Sequence, residues 1–282
     1  MAEETIRREH TYHAESHSVS GSLKLPLAQE IEPQAHAKIP AIGGYLSQHA
    51  QSFRVEGIIS YGEAHTQVSG HREIKPGRGF KTLASSVVEN LNILNVITAD
   101  RVVAQISTEH PLVGYVPQVS FLGTHFYNLR IAGHPVKLDL DVDIFGSKPD
   151  GDLPYTSDAG FIKRVSSQYE RIRAHKDLPD DILKKYNQNP SASGRQVSIE
   201  CSLVNQADGP HPGRSFGHVI HVPNFGTIYL ATLLVEQSDF KEGTDIPRAT
   251  TITLKMIDVK MGCIAEGNTG VSVLTTNGRT IP

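Results

Sequence analysis

Two adjacent runs, residues 82–93 and 96–107, place the strongest constraint on how this chain can fold. Both are rich in β-branched residues, and neither contains proline or glycine. β-Branched side chains pack well on a pleated surface and lose rotamer freedom in a helix. The two runs therefore predict a pair of long strands joined by a short turn.

Period-two alternation of apolar and polar residues marks further strands. It predicts one half-buried strand over 53–61, and others near 64–71, 119–131, 136–144, 197–203 and 250–261. The run 228–235 is almost continuously apolar, which is typical of a strand covered on both faces. Because strands do not alternate regularly with helices, we expect a mainly β protein: an antiparallel β-sandwich-like core with a short helical insertion.

The sequence divides into four segments. Residues 1–22 are polar and predict a solvated N-terminal arm, and residues 23–145 form a first β-rich region. Apolar residues at helical spacing predict helices within 146–194. Turn-forming sequences flank these helices, so we expect an insertion that the β core can lose. Residues 195–282 form a second β-rich region that completes the core.

Charge and motifs exclude several classes of function. The 27 basic and 30 acidic residues give a net charge of −3, so no basic field is available for nucleic acid or an anionic membrane. No apolar run reaches the roughly 18 residues that a membrane span needs, and the first residues lack the apolar run of a secretory signal. The sequence contains no nucleophile elbow, P-loop, dinucleotide fingerprint, zinc-protease motif or EF-hand loop.

The two cysteines, Cys201 and Cys263, leave two interpretations open. Their separation matches no compact zinc motif. They either close one disulfide or lie on strands as two buried thiols.

The most pointed local feature is the acidic sequence KLDLDVDIFG, in which Asp139, Asp141 and Asp143 alternate with apolar residues. On a strand these carboxylates share one face, about 6.5–7 Å apart, and repel one another. Water can solvate them, or a calcium ion can bind them together with Asp150 and Asp152. A third interpretation makes Asp139 and Asp141 the catalytic pair of a glycoside hydrolase, since such pairs lie about 5–9.5 Å apart.

A second region, RSFGHVIHVPNFGTIYL, combines histidines, aromatic residues and a turn. His218 and His221 are three residues apart, so on a strand they face opposite sides, which disfavours a shared metal ion. Asn224 and Tyr229, with these histidines, would form a polar and aromatic rim suited to sugar hydroxyls. The alternative is that the aromatic residues of this region pack in the core.

Five long stretches carry a family resemblance: EIEPQAHAKIPAIGGYLS, HTQVSG, LNILNVITADRVVAQISTEHP, FLGTHFYNLRIAG and FGHVIHVPNFGTIYLATLL. They resemble the water stress proteins of desiccation-tolerant cyanobacteria of the Nostoc type. The resemblance implies an abundant extracellular protein that is exported without a classical signal and resides in sheath polysaccharide. That family is linked to glycan processing and to matrix organisation with ultraviolet-screening pigments, and no catalytic residue is carried over from it. Without the resemblance, a cytoplasmic location is expected.

The sequence therefore leaves three functions open. The first is an extracellular matrix protein that binds or organises sheath polysaccharide under desiccation or ultraviolet stress. The second is a glycoside hydrolase, and the third is a self-assembling structural protein. We expect polysaccharide and further copies of the chain as partners, forming a homo-oligomer, and neither nucleic acid nor a membrane. No cofactor is expected to be required, and calcium is the ion that the acidic segment would bind in the metal-site interpretation.

Overall fold

The computed structural model describes residues 9–26, 28–55, 57–73, 79–112, 114–151, 153–190, 196–238, 249–262 and 265–281. Its two α-helices are α1 (Ala159–Arg173) and α2 (Asp180–Tyr186), preceded by a 3-10 turn at Tyr155–Ser157. The strands are β1 (Glu9–Thr11), β2 (Ala14–Leu25), β3 (Gln29–Ile31), β4 (Ala37–Lys38), β5 (Gly44–Val55), β6 (Ile59–Arg72), β7 (Phe80–Ile93), β8 (Ile97–His110), β9 (Gln118–Ser120), β10 (His125–Tyr127), β11 (Arg130–Ile131), β12 (His134–Pro135), β13 (Lys137–Leu140), β14 (Gln196–Ser202), β15 (Val204–Asp208), β16 (Arg214–Phe216), β17 (Val219–Val222), β18 (Gly226–Ser238), β19 (Ala249–Gly262), β20 (Glu266–Thr276) and β21 (Arg279–Ile281).

Most strands belong to two large antiparallel sheets. Sheet I has the order β12-β11-β8-β7-β6-β5, and β9 and β10 also pair with β8. Sheet II has the order β16-β17-β18-β19-β20-β2-β3, with β14 on β18 and β4 on β2. Two short ribbons, β1–β21 and β13–β15, complete the pairing. The mainly β, antiparallel architecture predicted from the sequence is confirmed.

The two sheets pack face to face across an interface of small side chains. β2 lies against β6 and β7, and β20 lies against β7 and β8. Ala64, Ala84 and Ala104 are fully buried along the three central strands of sheet I. The Ser86 hydroxyl donates a 3.2 Å hydrogen bond to the Ser272 hydroxyl across the interface. Small and hydroxyl-bearing residues thus fill the core where larger apolar side chains would separate the sheets.

The long strand pair predicted from residues 82–107 is confirmed as the β7–β8 hairpin. Its turn contains Leu94 and Asn95, whose φ angles are 52° and 57°. Two successive residues with positive φ give the turn a twist that matches the right-handed twist of the flanking strands.

The single strand predicted over residues 53–61 is wrong. The segment contains the end of β5, a turn at Gly57 with φ +71°, and the start of β6. Val55 and Ile59 lie directly opposite each other, and both are buried. Because the two strands place their inward residues in step on either side of the turn, the alternation continues through the hairpin and hides it.

The N-terminal arm predicted over residues 1–22 is also corrected where the structure describes it. β2 lies between β20 and β3 in sheet II. The hydroxyl of Ser16 donates to the Ser85 carbonyl at 2.9 Å, and that of Ser18 donates to the Gln34 carbonyl at 2.9 Å. This strand is polar because its inward serines meet hydrogen-bond acceptors, and its composition therefore suggested a solvated segment.

The helical segment packs against β14, β18 and the start of β17 in sheet II rather than standing apart from the strands. Phe161, Val165 and Ile182 are fully buried within the same apolar core as the strands. The Tyr169 hydroxyl donates to the Glu200 carbonyl on β14 at 2.9 Å. β18, which pairs with β14, β17 and β19, is buried on both faces from residue 227 to 233. The two-sided burial of this strand is confirmed, whereas the helices are an integral layer of the core.

Candidate functional site

The outward face of sheet I is open along its central strands. On β6, Ala64, Thr66 and Val68 point into the sandwich and are buried. Glu63 and His65, which alternate with them, are exposed. The same alternation on β7 and β8, together with the largely exposed β5, leaves one broad face without a covering layer among the described residues.

Strand register arranges this face in three cross-strand rows, which we call the polar face. Every side chain in the rows is exposed or half-buried. Five strands side by side span about 19 Å, and successive rows lie about 6.5–7 Å apart. The first row contains His49, His65, Val87, Val103 and His125; the second contains Gln51, Glu63, Glu89, Arg101 and Tyr127; the third contains Ser47, Gln67, Ser85 and Gln105.

One end of the polar face carries an ordered cationic and aromatic group. Arg101 forms a 3.0 Å ion pair with Glu89 and holds its guanidinium carbon 5.6 Å from the centre of the Tyr127 ring. The His125 ring meets the Tyr127 ring edge-on, with ring centres 4.6 Å apart. Tyr127 remains 46% exposed. A fixed aromatic surface with a charged neighbour is therefore presented to solvent.

The other end of the polar face carries two histidines and a carboxylate. The His49 and His65 rings stack with their centres 4.2 Å apart. Their Nε2 atoms lie 3.9 Å and 3.6 Å from Oε2 of Glu63. Within the described ranges, these residues form the one group of three ligand side chains whose ligand atoms all lie within 4.8 Å of one another.

The acidic segment does not form the predicted row of carboxylates. β13 ends at Leu140, and Asp141 already belongs to the turn that follows. The register between β13 and β15 shifts after Asp139. The Asp141 carboxylate accepts a 3.2 Å hydrogen bond from the backbone N–H of Asp143, so it closes a local turn.

These aspartates are not brought together as a cation site either. Asp139, Asp143 and Asp150 are exposed, and Asp141 is half-buried. No three of these four meet the ligand spacing found at His49, Glu63 and His65 among the described residues. Asp152 lies outside the described residues. The expectation of alternating carboxylates on one strand face is therefore wrong, because the strand is only four residues long.

His218 and Tyr229 lie beneath the helical layer and are each 1% exposed. The Nε2 atom of His218 lies 2.9 Å from the Tyr186 hydroxyl oxygen. Burial lowers the pKa of His218 to about 3, and Lys185 and Arg171 act in the same direction. Neither His218 nor Tyr229 can offer a surface to a ligand in solvent, which corrects their predicted place in an exposed rim.

Asn224 and His221 lie nearer the surface but do not form a site with those two residues. Asn224 is exposed at the turn between β17 and β18, with φ 61°. His221 is half-buried, and its Nδ1 atom lies 3.2 Å from the Thr227 hydroxyl oxygen. The sequence segment therefore divides between the interior and an outer turn.

Cys201 is a buried free thiol on β14, and burial raises its pKa above the usual range. Cys263 lies outside the described residues. The buried-thiol interpretation therefore holds for Cys201.

Sequence reasoning missed the polar face because its rows come from five strands that are distant in sequence. A signal was present in the alternation of Ser47, His49 and Gln51 with Leu46 and Ala50. That pattern predicts an outward polar row on one strand. It was hidden by the interpretation of residues 53–61 as one strand, which left no hairpin to pair His49 with His65.

The fold defines an antiparallel β-sandwich protein, and in the part of the chain that the structure describes the outward face of sheet I is open. The chain belongs to the family described as Domain of unknown function (DUF8256), which matches residues 10–236. No curated protein and no solved structure matches the chain. The match ends within β18, whereas β19 and β20, which lie between β18 and β2 in sheet II, come later in the chain.

Within the part of the chain that the structure describes, no helix has the length and apolar character needed to cross a membrane.

Proposed function

We propose that this chain is an extracellular matrix protein that binds polysaccharide on the polar face. The observation that carries the proposal is the alignment of three rows of mainly hydrogen-bonding side chains on an open face up to five strands wide. An extended ligand can lie across such a face and contact several strands at once.

The chemistry of the polar face suits sugar hydroxyls. The amide side chains of Gln51, Gln67 and Gln105 each carry donors and an acceptor. Sugar hydroxyls also donate and accept, so each amide can bond to a hydroxyl in either sense. Because the rows are fixed by strand pairing, these groups are placed without an ordering cost in the backbone.

Tyr127 supplies the apolar contact that sugar rings need. The chain contains no tryptophan, so stacking must come from smaller aromatic rings. Arg101 and His125 both contact the Tyr127 ring and restrict its motion. A tyrosine offers an apolar face together with a polar tip, which suits a ligand with both kinds of surface.

The polar face is open, so each binding event is expected to be weak. Repetition along a polysaccharide can raise the overall strength by about 10²–10⁴ without new contacts. The resemblance to cyanobacterial water stress proteins adds support for sheath polysaccharide as the ligand and for an extracellular location. Asp139 lies on β13, whereas Asp141 follows the end of that strand and its carboxylate closes a local turn. This separation of roles favours binding over hydrolysis.

A polysaccharide array tests this proposal when it is followed by affinity measurements on the polysaccharides that bind. Tyr127→Ala and Gln67→Ala should each weaken binding at least several-fold. Gln206→Ala on the β13–β15 ribbon is the matched control and should bind as the wild type does. Binding that is equal in all variants, or absent for every polysaccharide, would overturn the proposal. Release of reducing ends that Asp139→Asn abolishes would instead support a hydrolase.

We infer a second function, self-assembly, from the position of β5. β5 is the terminal strand of sheet I, and among the described strands it pairs with β6 alone. Residues 44–53 contain no Asp, Glu, Lys, Arg or Pro, which are the residues that usually protect an edge strand. Antiparallel pairing of β5 with β5 of a second copy is self-complementary and brings no formal charges together.

Sedimentation velocity at several protein concentrations tests this assembly. Gln48→Lys places a charge at the edge on the side that faces the core, and it should shift the protein to the monomer. Gln206→Lys, away from the edge, is the control and should leave the oligomer unchanged. A wild-type protein that remains a monomer at every concentration would contradict self-assembly.

A further inference from the structure

We propose that His49, Glu63 and His65 form a binding site for a divalent transition-metal ion, with zinc as the ion that fits best. Two imidazole nitrogens and one carboxylate oxygen are a ligand set that zinc adopts in proteins. The proposal concerns the metal alone and does not depend on polysaccharide binding.

Strand pairing fixes the positions of all three ligands. Glu63 and His65 are two residues apart on β6 and therefore point to the same face. His49 lies directly opposite His65 on β5. β6 is paired on both sides, with β5 and β7, so its backbone is held in place. Ligands on rigid strands need little rearrangement when the ion binds.

The distances match coordination better than hydrogen bonding. The two Nε2 atoms lie 3.6 Å and 3.9 Å from Glu63 Oε2, beyond normal hydrogen-bond distance. Zinc bonds of 2.0–2.1 Å in a tetrahedron place neighbouring ligand atoms about 3.3 Å apart. The three ligand atoms all lie within 4.8 Å of one another, so rotation of the stacked imidazole rings about their side-chain bonds would bring all three to one zinc ion.

Electrostatics on the polar face also favours a cation at this point. Glu63 on β6 lies directly opposite Glu89 on β7, a pairing of like charges that destabilises a sheet. The negative charge of Glu89 is offset by its ion pair with Arg101. Glu63 has no lysine or arginine partner in the described part of the chain, and its ion-pair contacts are the two histidines. Arg101 therefore compensates the charge of Glu89 but not that of Glu63. A bound dication would offset the charge that remains on Glu63.

The chemistry of the ligand set selects the ion. Imidazole suits zinc, copper and nickel, whereas calcium and magnesium prefer sites made of oxygen ligands alone. Three protein ligands leave at least one coordination position for water or an oxygen-bearing ligand. All three side chains are exposed, so the ion can enter directly from solvent.

Isothermal titration of the untagged, metal-free protein with zinc chloride at neutral pH tests the proposal. One zinc ion should bind per chain. His49→Ala and His65→Ala should each lower the affinity at least tenfold, and Glu63→Gln should also weaken it. His125→Ala is the matched control, because His125 is exposed on the same face outside the group, and its affinity should equal that of the wild type.

A second measurement separates metal binding from a change in folding. Zinc should raise the melting temperature of the wild type and of His125→Ala by mass action, and at the same zinc concentration should raise that of His49→Ala by clearly less. Circular dichroism should be the same for all variants without metal. Failure of the wild type to bind zinc at millimolar concentration, or equal binding by wild type, His49→Ala and His65→Ala, would overturn the proposal.

Discussion

Tyr186 on α2 and His218, just before β17, face each other across the buried boundary between the helical layer and sheet II. The Tyr186 hydroxyl oxygen lies 2.9 Å from His218 Nε2, and each residue is 1% exposed. A hydrogen bond in this position links the helices to the sheet by more than apolar packing. It also satisfies two polar groups that water cannot reach.

Tyr186→Phe should lower the free energy of unfolding by about 1–3 kcal/mol, because it leaves a buried imidazole nitrogen without its partner. Urea denaturation followed by circular dichroism measures the change. Tyr45→Phe, at a tyrosine that is 65% exposed, should have almost no effect. Equal stability of wild type and Tyr186→Phe would show that the pair contributes nothing.

Phe161→Ala should lower the free energy of unfolding by about 3–5 kcal/mol, as expected for removal of a fully buried ring. Phe161 is 0% exposed and contacts the rings of Phe145 and Tyr155. Leu183→Ala on the exposed side of α2 is the control and should change stability by less than about 0.5 kcal/mol. If Phe161→Ala lost as little stability as Leu183→Ala, the helical layer would be separable from the core.

Buried histidines should make the protein sensitive to acid. Burial lowers the pKa of His218 and of His110 to about 3, against 6.5 for the unfolded chain. Lys185 and Arg171 disfavour charge on His218, and His10 disfavours charge on His110. The unfolded state therefore binds more protons between these values, so the stability is fully present above about pH 6.5 and is lost as the pH falls towards 3.

Each of these histidines should contribute a slope of up to about 1.4 kcal/mol per pH unit below pH 6.5. Urea denaturation between about pH 6.5 and 5 measures it, in a range above the usual carboxylate titrations. His110→Phe should reduce the slope, while Leu183→Ala, which removes no titratable group, should retain the slope of the wild type. An unchanged slope in His110→Phe would contradict the prediction.

Calcium should leave the melting temperature unchanged, because no three of the four described aspartates of the acidic segment come within ligand spacing of one another. Asp141→Asn keeps Oδ1 as an acceptor for the Asp143 N–H and should be close to neutral. Asp141→Ala removes that acceptor and should cost about 0.5–1.5 kcal/mol. A calcium-dependent rise in melting temperature that Asp141→Asn abolishes would restore the metal-site interpretation.

Local sequence pattern predicted the elements that depend on residues close together in the sequence. The β7–β8 hairpin followed from two β-branched runs and a short connection, and the helices followed from apolar residues at helical spacing. The two-sided burial of β18 followed from its continuous apolar run. The hairpin β5–β6 escaped prediction because Val55 and Ile59 continue the same alternation on either side of the turn.

The candidate sites required positions that no local pattern contains. Alternation could place His49 and Glu63 on outward faces of strands, but only the β5–β6 register sets His49 opposite His65 and beside Glu63. For the aspartates, the local pattern gave a wrong prediction. Their spacing suits a strand, but the strand ends at Leu140 and the chain turns.

The sequence by itself determined the mainly β class, because β-branched content and period-two alternation act through each residue's own backbone preference and burial. Only the tertiary structure decided which strands are neighbours, that the polar β2 is internal, and that the helices form a layer of the core. Those outcomes depend on pairing between residues up to about 250 positions apart, such as Thr269 and the Ser20 carbonyl. Such contacts form because the whole interface buries apolar surface and satisfies polar groups together. The free energy of that interface comes from many segments at once, so it cannot be inferred from any one of them.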